Sequence, residues 1–356
     1  MKIKVLSYLL AAAVTAAGQE EINSPLPDKG DGFLTFYLDN DLFGGTDENY
    51  TNGVRLSWIS GSRDVRNLGP VQQGLRKLIG DEEGFSFLEG LTGLSGQEPI
   101  SYNYGFSLTQ LIFTPEDPLL DFVPEGERPY AGYLGLGLSL HAKDSDTLNS
   151  AELSFGVIGP SALAEEAQDT IHAARGFEKF NGWDEQIPDE PTLTLSLVQK
   201  RRFDLTDYGA LWGGDGLTEW GGQVGNFRTT AFLGFLARWG YNTPVAFSDP
   251  RLSTTAYSHK PFSTDDEAQK GNWSLYGLTG ARVTAVAFDA TLDGPLFRDF
   301  DTNVSSEPFI AEAYLGFGIR YRAVEFSYVH TFRTQEFQEQ DDGAQAFGSI
   351  AVRFRY

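Results

Sequence analysis

The chain has 356 residues, a formal net charge of −22 and no cysteine. The absence of cysteine excludes disulfides and thiol chemistry, and the excess of acidic residues disfavours nucleic acid as a partner. The 40 glycines, 27 phenylalanines and 15 tyrosines are typical of aromatic-rich β-structure with tight turns.

Residues 1–18 predict a secretory signal peptide. A basic start and an apolar run over 5–14 precede small residues at 15–18. The apolar run is shorter than the roughly 20 residues that a membrane-spanning helix needs. No other long apolar stretch follows, so we expect no transmembrane helix. We divide the chain into this signal peptide and one exported domain, 19–356.

The exported domain alternates between apolar and polar residues, as β-strands do. The alternation is clearest over 100–109, and it returns in the last strand, which ends on the aromatic Tyr356. The predicted strands are 33–39, 51–60, 100–113, 134–141, 149–158, 191–203, 208–222, 226–239, 272–289, 309–321, 324–334 and 345–356. An even number of strands of about ten residues favours an all-β, twelve-stranded antiparallel transmembrane β-barrel over a soluble sandwich.

Two polar inserts interrupt this pattern, at 61–99 and 241–271. Residues 65–79 of the first insert have the spacing of a short amphipathic helix. Neither insert suggests a function.

The segment 157–189 differs from the β pattern around it. A Gly-Pro break is followed by a short helix over 161–175, for which Ser161 is a suitable N-cap. Its apolar residues share one face: Leu163, Ala167 and Ile171. Gln168 and His172, four residues apart, project from the same side of the helix.

Strand counting places this helix at one rim of the barrel. With both termini in the periplasm, the connections after strands one, three and five lie at the extracellular end. The polar residues gathered there are Asn40, Asp41, Thr51, Arg128, Gln168 and His172. A hydrolytic site needs such a set of groups in one place, whereas a porin does not.

Each of these residues also has a purely structural interpretation. A neutral histidine, with an ordinary pKa of about 6.5, can take a proton from water, but a lone His172 is also a common polar rim residue. The oxygens of Asp39–Asp41 suit calcium, although Asp-Asn is frequent in turns. An EF-hand loop is excluded, because Phe43 and Tyr50 stand where oxygen ligands should be.

Seven short motifs then follow one another in a characteristic order. They are Asn40-Asp41, Tyr50–Gly53, Thr114-Pro115, Glu127–Gly132, Gly156–Pro160, Gln168-x-x-x-His172 and Gly182–Gln186. This set resembles the outer-membrane lipid A 3′-O-deacylases, the LpxR-type family, and spans most of the exported domain. A weaker likeness runs through 326–337.

The resemblance implies a twelve-stranded barrel that hydrolyses the ester of the 3′-linked acyloxyacyl chain of lipid A and requires calcium. It implies that His172 is the general base that activates water, with Gln168 as its active-site neighbour. Asn40 and Asp41 would belong to the calcium-linked part of the site, and Thr51 would match the family's hydroxyl residue. The implied partner is lipopolysaccharide in the outer membrane of a Gram-negative bacterium, and we expect a monomer.

One departure from the family pattern concerns the positive group of the site. The family has a lysine before the Arg-Pro-Tyr-Ala motif, and 116–127 contains none. Arg128, which matches a separate family position, and calcium are the groups left to take its place. Two alternatives therefore stay open: a non-catalytic barrel, either a channel or an inactive family member, and a barrel esterase that acts on phospholipid.

Overall fold

The strands close into a barrel. The computed structural model describes residues 32–41, 49–61, 101–116, 119–143, 146–206, 211–244, 246–247, 249–252, 272–340 and 344–356. Within these ranges, twelve antiparallel strands pair in chain order, and β1 also pairs with β12. The strands are β1 Phe33–Asn40, β2 Asn49–Ile59, β3 Ser101–Thr114, β4 Ala131–Lys143, β5 Thr147–Ile158, β6 Glu190–Asp204, β7 Trp212–Gly225, β8 Arg228–Tyr241, β9 Trp273–Asp289, β10 Phe309–Tyr321, β11 Val324–Thr334 and β12 Ala344–Arg355. The predicted fold class is confirmed.

The period-two pattern separates an apolar outer face from a polar inner face. On β6, the outward side chains of Leu193, Leu195 and Leu197 are exposed, while Thr194 and Ser196 between them are buried. A barrel with an apolar exterior and a polar interior suits a surrounding of hydrocarbon. No helix in the described ranges has the length and apolar character needed to cross a membrane.

Part of the connection between β8 and β9 fills the inside of the barrel. Phe247 is completely buried in a luminal apolar cluster. Arg251 pairs with Asp249 at 2.6 Å and with Glu219 of β7 at 3.0 Å. The described residues between 246 and 252 therefore fold into the lumen. The sequence pattern did not indicate this insertion, because the segment has no regular periodicity.

The even strand number sets which connections share a rim. The connections after β1, β3, β5, β7, β9 and β11 lie at the end of the barrel opposite Gly32 and Tyr356, which bond to each other. We call this the upper rim. The helix predicted over 65–79 lies outside the described residues.

Candidate active site

The helix α1 (Ala164–Arg175) begins later than the sequence predicted. A 3₁₀ turn over Pro160–Ala162 comes first, and Leu163, with φ of 58°, is the N-cap. The backbone N–H and hydroxyl of Ser161 each donate to the Asp189 carboxylate at 2.7 Å. The prediction of Ser161 as N-cap was wrong, because Asp189, distant in sequence, engages the groups of Ser161.

Helix α1 lies against the outer face of the barrel wall. The Gln110 side chain belongs to the outward series of β3 and donates to the Ala162 carbonyl at 2.8 Å. A Cβ at Gly132 of β4 would stand 2.5 Å from the Cβ of Ala164. Only glycine allows so close an approach, so Gly132 lets the helix rest directly on the wall.

The buried face of α1 carries its polar pair. Ala164, Gln168 and His172 are buried, whereas Leu163 and Ile171 are 51% and 39% exposed. The sequence indicated an apolar face, but most of that face is turned away from the wall. Since the barrel exterior is apolar, outward apolar side chains on α1 continue the same surface.

His172 is held in one tautomer. Its Nδ1 lies 2.6 Å from the Glu178 carbonyl oxygen, and a carbonyl only accepts, so Nδ1 carries the proton. Nε2 therefore presents a lone pair. The rings of Phe180 and Phe177 pack edge-on at 4.7 and 5.7 Å. The imidazole thus has a fixed orientation, and in the neutral ring Nε2 is the nitrogen that accepts a proton.

Two further buried polar side chains accompany His172. Gln168, 4% exposed, has no partner for either amide atom within the described residues, and the same is true of the indole N–H of Trp183. Trp183 packs at 4.8 Å from Tyr130. The buried layer between α1 and the wall is called here the wall layer. It consists of Gln168 and His172 on the buried face of α1 and of the apolar residues Ile112, Tyr130, Ala164, Phe180 and Trp183. It holds hydrogen-bonding groups that the described chain leaves unpaired.

Asn40 lies on the same outer face as this layer. It pairs across strands with Asn52, Asn52 pairs with Ile112, and Ile112 pairs with Gly132 under α1. Opposite residues in antiparallel pairs point to the same side, and neighbouring strands are about 4.8 Å apart. The upper rim therefore carries a continuous outward row that runs from Asn40 to the helix.

Asn52 was not among the predicted site residues. It is two residues from outward Val54 on the same strand and therefore faces the same side. This period of two would have identified it. Asp41 follows β1 directly and is buried. Thr51 precedes Asn52 in β2, and its side chain lies outside the described residues.

Arg128 lies on the other side of the wall. It is fully buried, donates to Glu336 and to Thr291 at 3.1 Å each, and covers the ring of Phe113 at 4.5 Å. Phe113 alternates with outward Ile112 and so faces the lumen. The structure does not bring Arg128 to His172.

The oxygen donors at the rim have the chemistry that calcium prefers. No three His, Cys, Asp or Glu side chains form a metal-binding group in the described ranges. Calcium, however, also takes amide oxygens. Asn40 and Asn52 are neighbours on the outer face, and the carboxylate of Asp41 follows in the chain. This donor set fits a hard cation.

Comparisons with known proteins agree with this architecture. A family model described as outer membrane protein LpxR matches residues 5–356. The chain is similar to the solved structure of LpxR from Salmonella typhimurium, with 18% identity and a TM-score of 0.68 over 90% of this chain and 99% of that one. It is more distantly similar to the β domain of the Bordetella autotransporter BrkA, with 9% identity and a TM-score of 0.40 over 92% and 99% of the two chains. No curated protein sequence matches significantly. The barrel lies in the outer membrane of a Gram-negative bacterium, and the chain belongs to the LpxR family.

Proposed function

We propose that the protein is a lipid A deacylase that hydrolyses the ester of the 3′-linked acyloxyacyl chain. The observation that carries this proposal is His172. Its Nδ1 donates to the Glu178 carbonyl, which leaves Nε2 as the acceptor of the neutral ring, and the residue lies on the outside of the wall rather than in the lumen. A base in this position is next to the lipid that surrounds the barrel.

The reaction begins with water. Nε2 of His172 takes a proton from the water molecule as its oxygen attacks the ester carbonyl. The Glu178 carbonyl keeps the ring oriented and stabilises the imidazolium that forms. The bond between the acyl carbon and the sugar oxygen then breaks, the sugar oxygen receives the proton from Nε2, and the free fatty acid leaves. No covalent enzyme intermediate is needed.

Gln168 lies one turn before the base on the same buried face. Because its amide atoms have no partner within the described residues, they are available to the ester and to the attacking water. Its amide can bond the carbonyl oxygen or align the water beside His172. Gln168 therefore positions the reacting atoms.

We further propose calcium as the cofactor. Asn40, Asp41 and Asn52 would hold it. When bound, calcium polarises the ester carbonyl and offsets the negative charge of the substrate. Charge compensation is needed here, because the chain has a net charge of −22 and the proposed substrate is an anionic glycolipid.

The acyl chains of the substrate have an apolar surface to lie against. Exposed Leu163 and Ile171 of α1 continue the outward side chains of the neighbouring strands, such as Phe106 and Leu136. The ester can then reach the rim while the hydrocarbon stays in the membrane. Lipopolysaccharide is the partner that this arrangement fits, and a monomer is sufficient for it.

The channel alternative has less support. A channel needs an open lumen, and Phe247, Asp249 and Arg251 occupy the lumen here. A phospholipid esterase would use the same outer face, so the substrate has to be tested directly.

The decisive experiment is a lipid panel. Purified protein is reconstituted with lipid A or with phosphatidylethanolamine, each in calcium or in EDTA, and the products are identified by mass spectrometry. We expect loss of an acyloxyacyl chain from lipid A in calcium only. Release of fatty acid from phosphatidylethanolamine alone would mean that the substrate is a phospholipid and not lipid A. Release from neither lipid would overturn the proposal.

A further inference from the structure

Trp183 carries a buried donor that its fold does not explain. The residue is 2% exposed, and its indole N–H has no acceptor within the described residues. Its backbone carbonyl accepts from the Gln186 side chain at 2.9 Å, which accounts for the turn but not for the indole nitrogen. An unsatisfied buried donor costs about 1–3 kcal/mol. An aromatic ring without a donor would not carry that cost.

The donor lies in the same layer as the base. Trp183 and Phe180 both belong to the wall layer, and Phe180 contacts the His172 ring at 4.7 Å. Ala164, of the same layer, and His172 are on either side of Gln168 along the buried face of α1. The Gln168 side chain therefore enters the layer that contains Trp183, and both bring unpaired N–H groups into it.

Three cations lie near this layer in sequence, and each has another contact. Arg175, at the end of α1, is exposed and lies over the Phe177 ring at 5.2 Å. Arg128 is paired with Glu336 behind the wall. Lys179 is exposed and pairs with Asp169 at 2.7 Å on the helix surface. Hydrolysis of an ester develops negative charge on the carbonyl oxygen, and preorganised N–H groups in a buried site stabilise that charge.

We propose that the indole N–H of Trp183, together with the Gln168 amide, donates to the carbonyl oxygen of the scissile ester. This assignment rests on the proposed function. It gives the oxyanion neutral donors in a chain that lacks the lysine of the family pattern. Trp183 is then a catalytic residue, and its N–H is unpaired in the free protein because the substrate supplies the acceptor.

The test is the Trp183→Phe variant, which keeps a ring against Tyr130 and removes the N–H together with part of the indole. We expect kcat for lipid A deacylation, measured per folded molecule, to fall about 10²–10³-fold with KM nearly unchanged, and we expect the smaller ring to lower Tm. Trp212→Phe, at the exposed start of β7, is the matched control and should leave kcat unchanged.

The outcomes separate this assignment from the proposed function. A Trp183→Phe protein with wild-type kcat would overturn the assignment alone. A lowered Tm with unchanged kcat per folded molecule would show that Trp183 serves only packing, and would overturn it as well. A wild-type protein that sheds no acyl chain would overturn the proposed function and this assignment together.

Discussion

The lumen and the wall layer both bury polar groups, but the lumen joins charged groups in ion pairs, whereas the unpaired groups of the wall layer are neutral and lie around His172. In the lumen, Arg55 pairs with Glu152 at 2.6 Å and Arg353 with Glu325 at 2.8 Å. In the wall layer, the amide of Gln168 and the indole N–H of Trp183 have no partner among the described residues. Paired groups stabilise a structure, whereas unpaired buried groups weaken it. Single hydroxyls of the lumen, such as those of Thr194 and Ser196, also lack a partner among the described residues. The unpaired groups of the wall layer differ in lying beside the base His172, and this indicates that the wall layer is arranged for a ligand.

The sharpest test of this comparison uses one histidine from each region. His172→Gln removes the base of the wall layer, and we expect acyl release from lipid A to fall about 10²–10⁴-fold. His141→Gln is the control, since His141 lies in the lumen and both of its ring nitrogens bond to serines, at 2.8 and 2.9 Å. Activity is measured per folded molecule. Full activity of the His172→Gln protein would remove His172 from the mechanism.

The next largest effect concerns stability and comes from the lumen side. Glu336→Gln leaves the buried charge of Arg128 without its carboxylate, which should lower the free energy of unfolding by about 3–5 kcal/mol. Glu165→Gln, whose partner Lys179 is exposed, should not change it measurably. Denaturant unfolding in detergent measures both. Equal free energies of unfolding for the two variants would mean that the Arg128–Glu336 pair contributes little to stability.

The same carboxylate predicts a pH dependence. Burial alone would raise the pKa of Glu336, but Arg333 and Arg128 outweigh burial and hold that pKa below its ordinary value. The stabilisation is therefore fully present above the ordinary glutamate pKa and is lost as the pH falls through the lower folded value. The free energy of unfolding of wild type should fall over this acidic range more steeply than that of Glu336→Gln. If the two proteins lose stability equally as the pH falls, the Glu336 carboxylate is not the source of the pH dependence.

A smaller effect is expected where the helix rests on the wall. Gly132→Ala places a methyl group 2.5 Å from the Ala164 Cβ and must displace α1. A shift of about 1 Å in a reacting group can cost roughly 10²-fold in rate, so we expect a loss of that order with the barrel intact. Gly277→Ala is the control, because the nearest atom to its new Cβ is 3.9 Å away. Equal activities would show that the contact does not set the helix position.

The smallest expected effect is on conductance. Because Asp249 and Arg251 occupy the lumen, wild-type protein in planar bilayers should give no conductance steps above the lipid background. Steps of porin size would mean that the luminal segment leaves the barrel. They would restore the channel alternative.

Local sequence predicted the strands well. The two-residue alternation of β3 or β12 records which side chains face lipid, and this pattern depends only on neighbours along the chain. The predicted strand ends agree with the structure to within a few residues in most cases. The start of β7 is an exception, predicted at 208 and observed at Trp212. The Gln168 and His172 pair could also be identified from the sequence, because helical spacing places residues four apart on one side.

Only the tertiary structure decided what each polar residue meets. Arg128 and His172 were predicted at the same rim, yet the barrel wall separates them. Arg128 covers the ring of inward Phe113, whereas the helix of His172 rests on outward Gly132. The buried side of α1 depends on Gly132 and Gln110, which lie far from it in sequence. The strand register places Asn52 beside Asn40. Ion pairs with distant residues, such as that of Asp249 with Lys200, hold the segment around Asp249 in the lumen. Periodicity along a chain carries no information about such partners, since they are set by contacts between distant residues.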